Sequence, residues 1–373
     1  MIDPIFHSPE PISLPEGIPA AQFEAELRQV QHVVASAADE AGLLLAARRI
    51  QELVHRLVDQ TQAARAMTLF ISLLNDLLTR RVIEVVSAEA AIDGVRWCWI
   101  SLGSEGRQEQ TLSSDQDNGI IFAGDMEASA LRSKMLPLAQ RINTMLDACG
   151  FPLCTGEVMA SNPEWCLSLP EWKERFRNWI IEGDPQALLN ASIFFDLRPL
   201  YGATELSGEL TEWLAREAAA NPRFQFQMAA NAMKRNVPLG LFNRFVVDKH
   251  GKYPGTIDLK VGVSALFVDA ARIYGLACGS HASNTAERFQ QAVNARRLHP
   301  KDAERWIRAF YFVQMLRLKI QQRSYRLGQE MHNHLAPREL DRSDRWFLRD
   351  ALLQARSLHR RLQLDYPGSH GMF

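Results

Sequence analysis

With 42 Lys and Arg residues against 43 Asp and Glu residues, the 373-residue chain carries a formal net charge of −1, which argues against a general nucleic-acid or membrane-surface binder. Its length and 47% apolar content suit a globular protein of roughly two or three domains. No run approaches the roughly eighteen apolar residues a membrane span needs, and the opening MIDPIFHSPEPISLPEG is proline-rich and acidic where a signal peptide is basic and then apolar; a soluble cytoplasmic protein is expected.

Residues 1–18 read as a flexible tail. Residues 19–91 form a helical module. Leu43, Leu44, Ala47, Ile50, Leu53, Val54 and Leu57 recur at three-and-four spacing, as do Met67, Phe70, Ile71, Leu74, Leu77 and Leu78, the pattern of two or three amphipathic helices packed as a hairpin. Nothing in this module bears chemistry.

The mixed part, residues 92–205, contains WCWISLGSEGRQEQTLSSDQDNGIIF, Trp97 to Phe122. Trp97 to Leu102 is an apolar, aromatic-rich run ended by glycine, which predicts a buried strand and a tight turn, and Asp117 to Phe122 predicts a second strand. Between them Gly103, Ser104 and Gly106 let the backbone approach a ligand and turn amide groups toward an anion such as phosphate. Asp115 and Asp117, two apart at the mouth of the second strand, point to one face. Like charges so close repel unless a cation lies between them, and hard divalent ions such as Mg2+ take one or two carboxylates together with substrate phosphates. The plain alternative is a polar turn with Ser114 and Asp115 as turn formers.

Ala128 to Ala148 predicts a helix capped near Gly150. Phe151 to Trp165 predicts a further strand and a helix start at Asn162 and Pro163; Glu157 and Asn162 lie near the substrate or serve as turn and cap. Ile193 to Leu197 reads as a buried strand interrupted by Asp196. A carboxylate there is costly unless paired or bound to metal, which leaves an ion pair with Arg198 or a third metal-binding carboxylate. Residues 206–373 read as a helical domain with one interruption, a hairpin over Asn243 to Lys260 turning at Lys249 to Lys252. It leads Asp258 and Lys260 into a helix from Val261 to Leu276. Ala286 to Val293, Asp302 to Leu327 and Arg338 to Leu364 predict three more helices. Arg296 to Arg361 carries sixteen basic against seven acidic residues, read as solvated bundle faces because few aromatics interleave as nucleic-acid stacking needs. His332-Asn333-His334 reads as a loop. The cysteines, Cys98, Cys149, Cys154, Cys166 and Cys278, match neither a zinc set nor a disulfide framework and read as reduced thiols.

The run GSEGRQEQTLSSDQDN, Gly103-Ser104 followed by Asp115-x-Asp117, resembles the nucleotidyltransferase superfamily signature. More closely it resembles a bacterial nucleotidyltransferase family often linked to CBS and cyclic-nucleotide-binding domains and related to the N-terminal domain of protein-PII uridylyltransferases. The stretch G-x-V-M-A-x-N-P-x-W from Gly156 to Trp165 and the D-x-R at Asp196 and Arg198 extend the likeness. The resemblance implies an α+β fold, a nucleotidyltransferase-like mixed sheet with helices, flanked by an N-terminal helical hairpin and a C-terminal helical bundle. It implies transfer of a nucleoside monophosphate from an NTP to an acceptor hydroxyl, with Mg2+ or Mn2+ as cofactor. On that likeness Asp115, Asp117 and Asp196 are catalytic and metal-binding, and Gly103, Ser104, Arg107, Arg198 and Lys260 bind the NTP. The implied acceptor is a protein side chain, such as a tyrosine on a PII-like regulator in signal transduction. The alternatives are a small-molecule or RNA 3′-end acceptor, or a non-catalytic protein that senses NTP.

Overall fold

The computed structural model describes residues 13–367 apart from 15, 17, 19, 62, 89, 91, 93 and 184, so most of the expected tail lies outside the described residues. The chain begins with three helices, α1 (Ala20–Ser36), α2 (Glu40–Gln60) and α3 (Ala64–Ser87). Asp39 caps α2 by accepting from Gly42 N at 2.9 Å, and Leu43, Ala47, Ile50, Leu53, Val54 and Leu57 are buried along it, as their spacing requires. Next come β1 (Arg96–Ser101), the four-residue α4 (Gly103–Gly106), β2 (Asn118–Ala123) and α5 (Ala128–Ala148). After these the chain forms β3 (Cys166–Ser168), α6 (Leu169–Glu182), α7 (Pro185–Phe194) and β4 (Arg198–Gly202).

The sheet order is β3-β2-β1-β4. β1 is antiparallel to both neighbours, while β2 and β3 run parallel, so the sheet is mixed. Because successive strand residues face opposite ways, it separates two cores. Trp97, Trp99, Ile120 and Phe122 join Phe70 and Leu74 of α3 and Met135 and Ile142 of α5. Cys98, Ile100 and Ile121 join Trp172 and Phe176 of α6 and Phe194 of α7. The N-terminal helices therefore share one core with the sheet.

The C-terminal half contains α8 (Thr204–Ala219), α9 (Pro222–Met233), β5 (Ile257–Asp258), α10 (Ala265–Ala277), α11 (Thr285–Asn294), α12 (Pro300–Arg326), β6 (His334–Leu335) and α13 (Arg342–Asp365). The architecture is α+β, with most residues helical around a small mixed sheet. Among the described residues no helix is long and apolar enough to cross a membrane. All five cysteines are free.

Four local expectations are corrected. Ile193 to Leu197 is not a strand: α7 ends at Phe194, and Phe195 to Leu197 turn the chain into β4. Phe194 packs on Trp165 with ring centroids 4.2 Å apart, and Phe195 on Phe176 at 5.1 Å; a short apolar run does not distinguish a strand from a buried helix end. The stretch Phe151 to Trp165 holds turns and a 3-10 turn (Pro163–Trp165) capped by Asn162, which accepts from Glu164 N at 3.0 Å; the strand comes after it, as β3. The predicted hairpin is a closed loop, with Asp248 N donating to Thr256 O and Gly255 N to Asp248 O, since Pro254 has no N–H for a ladder. β5 pairs instead with β6, Asp258 opposite His334, so His334 lies in a strand and not in a loop.

Trp172 is fully buried, and its Nε1 donates to Ile120 O of β2 at 2.9 Å. Trp172→Ala is expected to lower the unfolding free energy by about 3–5 kcal/mol, read as a shifted urea midpoint at unchanged slope.

Candidate active site

The site forms where β1 ends. Leu102 N donates to Asp117 O at 2.8 Å, holding the end of β1 against the residue before β2. Gly103 has φ +51, and a Cβ there would lie 2.4 Å from Asp117 Oδ2. Only glycine allows both that backbone and that approach. Gly106, at the end of α4, lies so close to the chain at Asp196 that a Cβ would sit 2.0 Å from the Asp196 carbonyl oxygen. Ser104 between them is half-buried.

The acidic pair is fixed by the residues alternating with it. Gln116 and Asn118 turn inward: Gln116 Nε2 donates to Asn143 O and Phe151 O at 3.0 and 2.8 Å, and Asn143 Nδ2 donates to Gln116 Oε1 and Asn118 Oδ1 at 2.7 and 3.0 Å. With those two clamped to α5, Asp115 and Asp117 share the other side. Donor oxygens of both and Cys154 Sγ lie within 4.8 Å of one another. Burial, and then the charge of Asp115, pushes the Asp117 carboxyl up to about 7. Lys260, in the π-helical turn (Lys260–Ser264) that precedes α10, brings Nζ to 3.4 Å from Asp115 Oδ1. This donor set, two oxygens and a sulfur with mutually repelling carboxylates, fits a divalent cation.

Asp196 is not brought to this pair. It is fully buried and accepts from three guanidiniums: Arg272 Nε and Nη2 at 3.0 and 2.6 Å, Arg288 Nη1 at 2.5 Å and Arg107 Nη1 at 2.5 Å. Burial alone would push its carboxyl up, but Arg272, Arg288 and Arg107 outweigh that and hold it below the usual carboxylate range. With both oxygens engaged, Asp196 does not stand as a third ligand beside Asp115 and Asp117. Nor does it pair with Arg198, which donates to Asp76 Oδ1 at 2.8 Å and Glu105 O at 3.3 Å. Arg107, expected at the phosphates, also bonds Glu109 Oε2 at 2.8 Å and is largely buried. Glu157 is exposed.

Several residues of the site carry no separate sequence signal. Glu105, inside α4, accepts from Ser101 Oγ at 2.7 Å, and burial pushes its carboxyl up to about 8. Arg317 of α12 donates to Asn333 Oδ1, Gln314 Oε1 and Thr111 Oγ1 at 2.9, 2.7 and 3.3 Å, tying the loop before Asp115 to the segment beside β6. Leu259 N donates to Asn333 O, so Lys260 hangs from the same junction. Arg272 does have a legible signal, a cation within the apolar run ALFVDAARIYGLA. Cys154 has none beyond its place in a turn.

A strand, a glycine turn that abuts an aspartate, and paired carboxylates at the mouth of the antiparallel neighbour define a nucleotidyltransferase-type domain. The family described as Putative nucleotidyltransferase DUF294 matches residues 48–186, and that described as Putative nucleotidyltransferase substrate binding domain matches residues 222–366. The chain belongs to this two-part nucleotidyltransferase family. No curated protein matches it.

Two stability measurements check the buried carboxylates. Glu105 has a folded-state value near 8 against an ordinary 4.5; its neutral form favours folding, a contribution present below about pH 4.5 and lost as pH rises through about 8. Glu105→Gln is expected to flatten the decline in stability across that window in denaturant titrations. Asp196 has the opposite sign, stabilising above its ordinary value of 3.8 and losing that contribution as pH falls through its lower folded value. Asp196→Asn is expected to cost about 3–5 kcal/mol at pH 7 by stranding buried guanidiniums, with the gap to the parent narrowing in acid.

Proposed function

We propose that the protein transfers a nucleoside monophosphate from an NTP to an acceptor hydroxyl on a regulatory protein, in the manner of the PII uridylyltransferases. The observation that carries this reading is the convergence of Gly103, Asp115, Asp117 and Lys260 at one place, with Gly103 packed against the Asp117 carboxylate. Asp115 and Asp117 would hold a divalent cation, Mg2+ or Mn2+, which neutralises triphosphate charge and polarises the reacting phosphate. Gly103 and Ser104 receive the phosphates by backbone and hydroxyl. Lys260 exchanges its contact with Asp115 for the triphosphate. The acceptor oxygen bonds to the α-phosphorus, pyrophosphate leaves, and the hydroxyl proton passes to solvent. Such a reaction depends on positioning and charge neutralisation more than on covalent help. The helices matched as a substrate-binding domain, which carry Lys260, Arg272 and Arg288, are the natural place for acceptor choice. A cytoplasmic, signal-transducing role belongs to the same proposal.

The engagement of Asp196 by three arginines favours a second reading, a protein that binds NTP as a signal without turnover. Incubating the protein with each labelled NTP, Mg2+ or Mn2+ and lysate of its own cell separates the two. Label on a protein band, with pyrophosphate released, is the expected result; label on RNA or a small molecule would relocate the acceptor. NTP binding in calorimetry without pyrophosphate release would establish the sensor. Asp115→Ala and Asp117→Ala are each expected to lower the rate at least ~10²-fold, and full activity in either would overturn the assignment.

A further inference from the structure

Cys154 lies beside the acidic pair. Its Sγ is 3.6 Å from Asp117 Oδ1 and the residue is 9% exposed, so the sulfur faces the carboxylates from a nearly closed wall. The turn that carries it is closed by Glu157 N donating to Cys154 O at 3.0 Å and is strained, for Glu157 has φ +55, a region unfavourable to a residue with a Cβ. The strain is held in place: Trp165 Nε1 and Asn162 Nδ2 donate to Glu157 O at 3.0 and 3.1 Å. Gln116 N donates to Pro152 O, and Asn118 N to Val158 O, which sews the loop to the Asp117 strand on either side of Cys154. The sulfur is thereby held at the carboxylates: its Sγ and donor oxygens of Asp115 and Asp117 lie within 4.8 Å of one another, a spacing that one ion could bridge.

Two carboxylates by themselves suit a hard ion, whereas a thiolate added to them shifts preference toward borderline metals. We propose that Cys154 is the third protein ligand of the cation held by Asp115 and Asp117, and that the site takes a borderline divalent ion such as Mn2+, Co2+ or Zn2+ in preference to Mg2+. The inference rests on the nucleotidyl-transfer reading only for there being a metal at the pair. On binding, the thiol proton passes to solvent and one metal–sulfur bond forms, with no change of oxidation state. Asp196, the carboxylate expected in the third place, is committed to its arginines.

Titrating Co2+ into the full-length, metal-stripped protein tests this directly. The parent is expected to develop a near-ultraviolet sulfur-to-cobalt charge-transfer band that is absent from Cys154→Ser and Asp117→Asn. Cys154→Ser is expected to weaken Co2+ and Mn2+ at least ~10-fold while leaving Mg2+ unchanged, since loss of even an outer partner costs that much. Circular dichroism checks that the variants fold; if Cys154→Ser does not, protection of Cys154 from iodoacetamide by Co2+ in the parent, mapped by peptide mass, gives the same answer. No Co2+ binding, no band in the Co2+-loaded parent, a band that survives in Cys154→Ser, or no protection would each overturn the proposal. Nucleotidyl transfer is assayed on the same samples. A band without transfer would leave the ligand assignment standing and remove the proposed function, while transfer with Mg2+ and no band would do the reverse.

Discussion

Asp196 has no exposed surface, and the guanidiniums of Arg107, Arg272 and Arg288 divide its two oxygens between them. An isolated carboxylate in that position would be costly enough to be protonated, and each arginine alone would be equally misplaced. Together they compensate one another only in this geometry, and each comes from a different part of the chain: Arg107 from the loop after α4, Arg272 from α10, Arg288 from α11. The backbone follows the charges. Ser283 Oγ donates to Gly106 O, Asn284 Nδ2 to Arg107 O, and Thr285 N to Glu109 Oε1. The glycine turn at the mouth of the site is thus seated on the C-terminal helices through a buried electrostatic joint, and the close pass of Gly106 over the Asp196 carbonyl completes it.

The same construction sets the acidic pair. A polar loop between two strands has no intrinsic reason to hold two carboxylates together, since their repulsion favours splaying. Burying Gln116 and Asn118 in an amide network with Asn143 removes that freedom, because period-two geometry then turns Asp115 and Asp117 to the opposite side. On that side Lys260 arrives on a segment anchored through Asn333 to Arg317, whose guanidinium also holds Thr111 of the acidic loop. Burial, and then the like charge of Arg107, pushes Arg317 down to about 10, and its close partners are neutral oxygens. Neither half of the chain forms the site alone.

Much of this was legible from local pattern. The strand from Trp97, the turn at Gly103, the strand leading from Asp117, the helix Ala128–Ala148 and the stripes of α2 and α3 all follow from spacing that a short window contains. The sequence shows Asp196 as a carboxylate that needs a partner, yet its partners lie 76 to 92 residues away in α10 and α11, or 89 residues before it. No window spans such distances. Its neighbourhood also misled: the aromatic run around it resembles a strand, but those rings are buried by a helix end against Trp165 and Phe176. The two-residue ladder at His334 leaves no periodic trace in the sequence, and a single thiol in a turn, as at Cys154, looks like any other.

The sequence by itself determined which residue types were present in chemically meaningful pairs, that the carboxylates at 115 and 117 would face one way, and that glycine was required before them, because these follow from backbone periodicity and steric limits over a few residues. Only the tertiary structure decided which charges neutralise which. Coulombic and desolvation terms depend on separation and burial, and both are set by how distant segments pack. Packing therefore turned Asp196 from a candidate metal ligand into the anchor of the helical half, and set a thiol in the place beside Asp115 and Asp117 where a third carboxylate was expected.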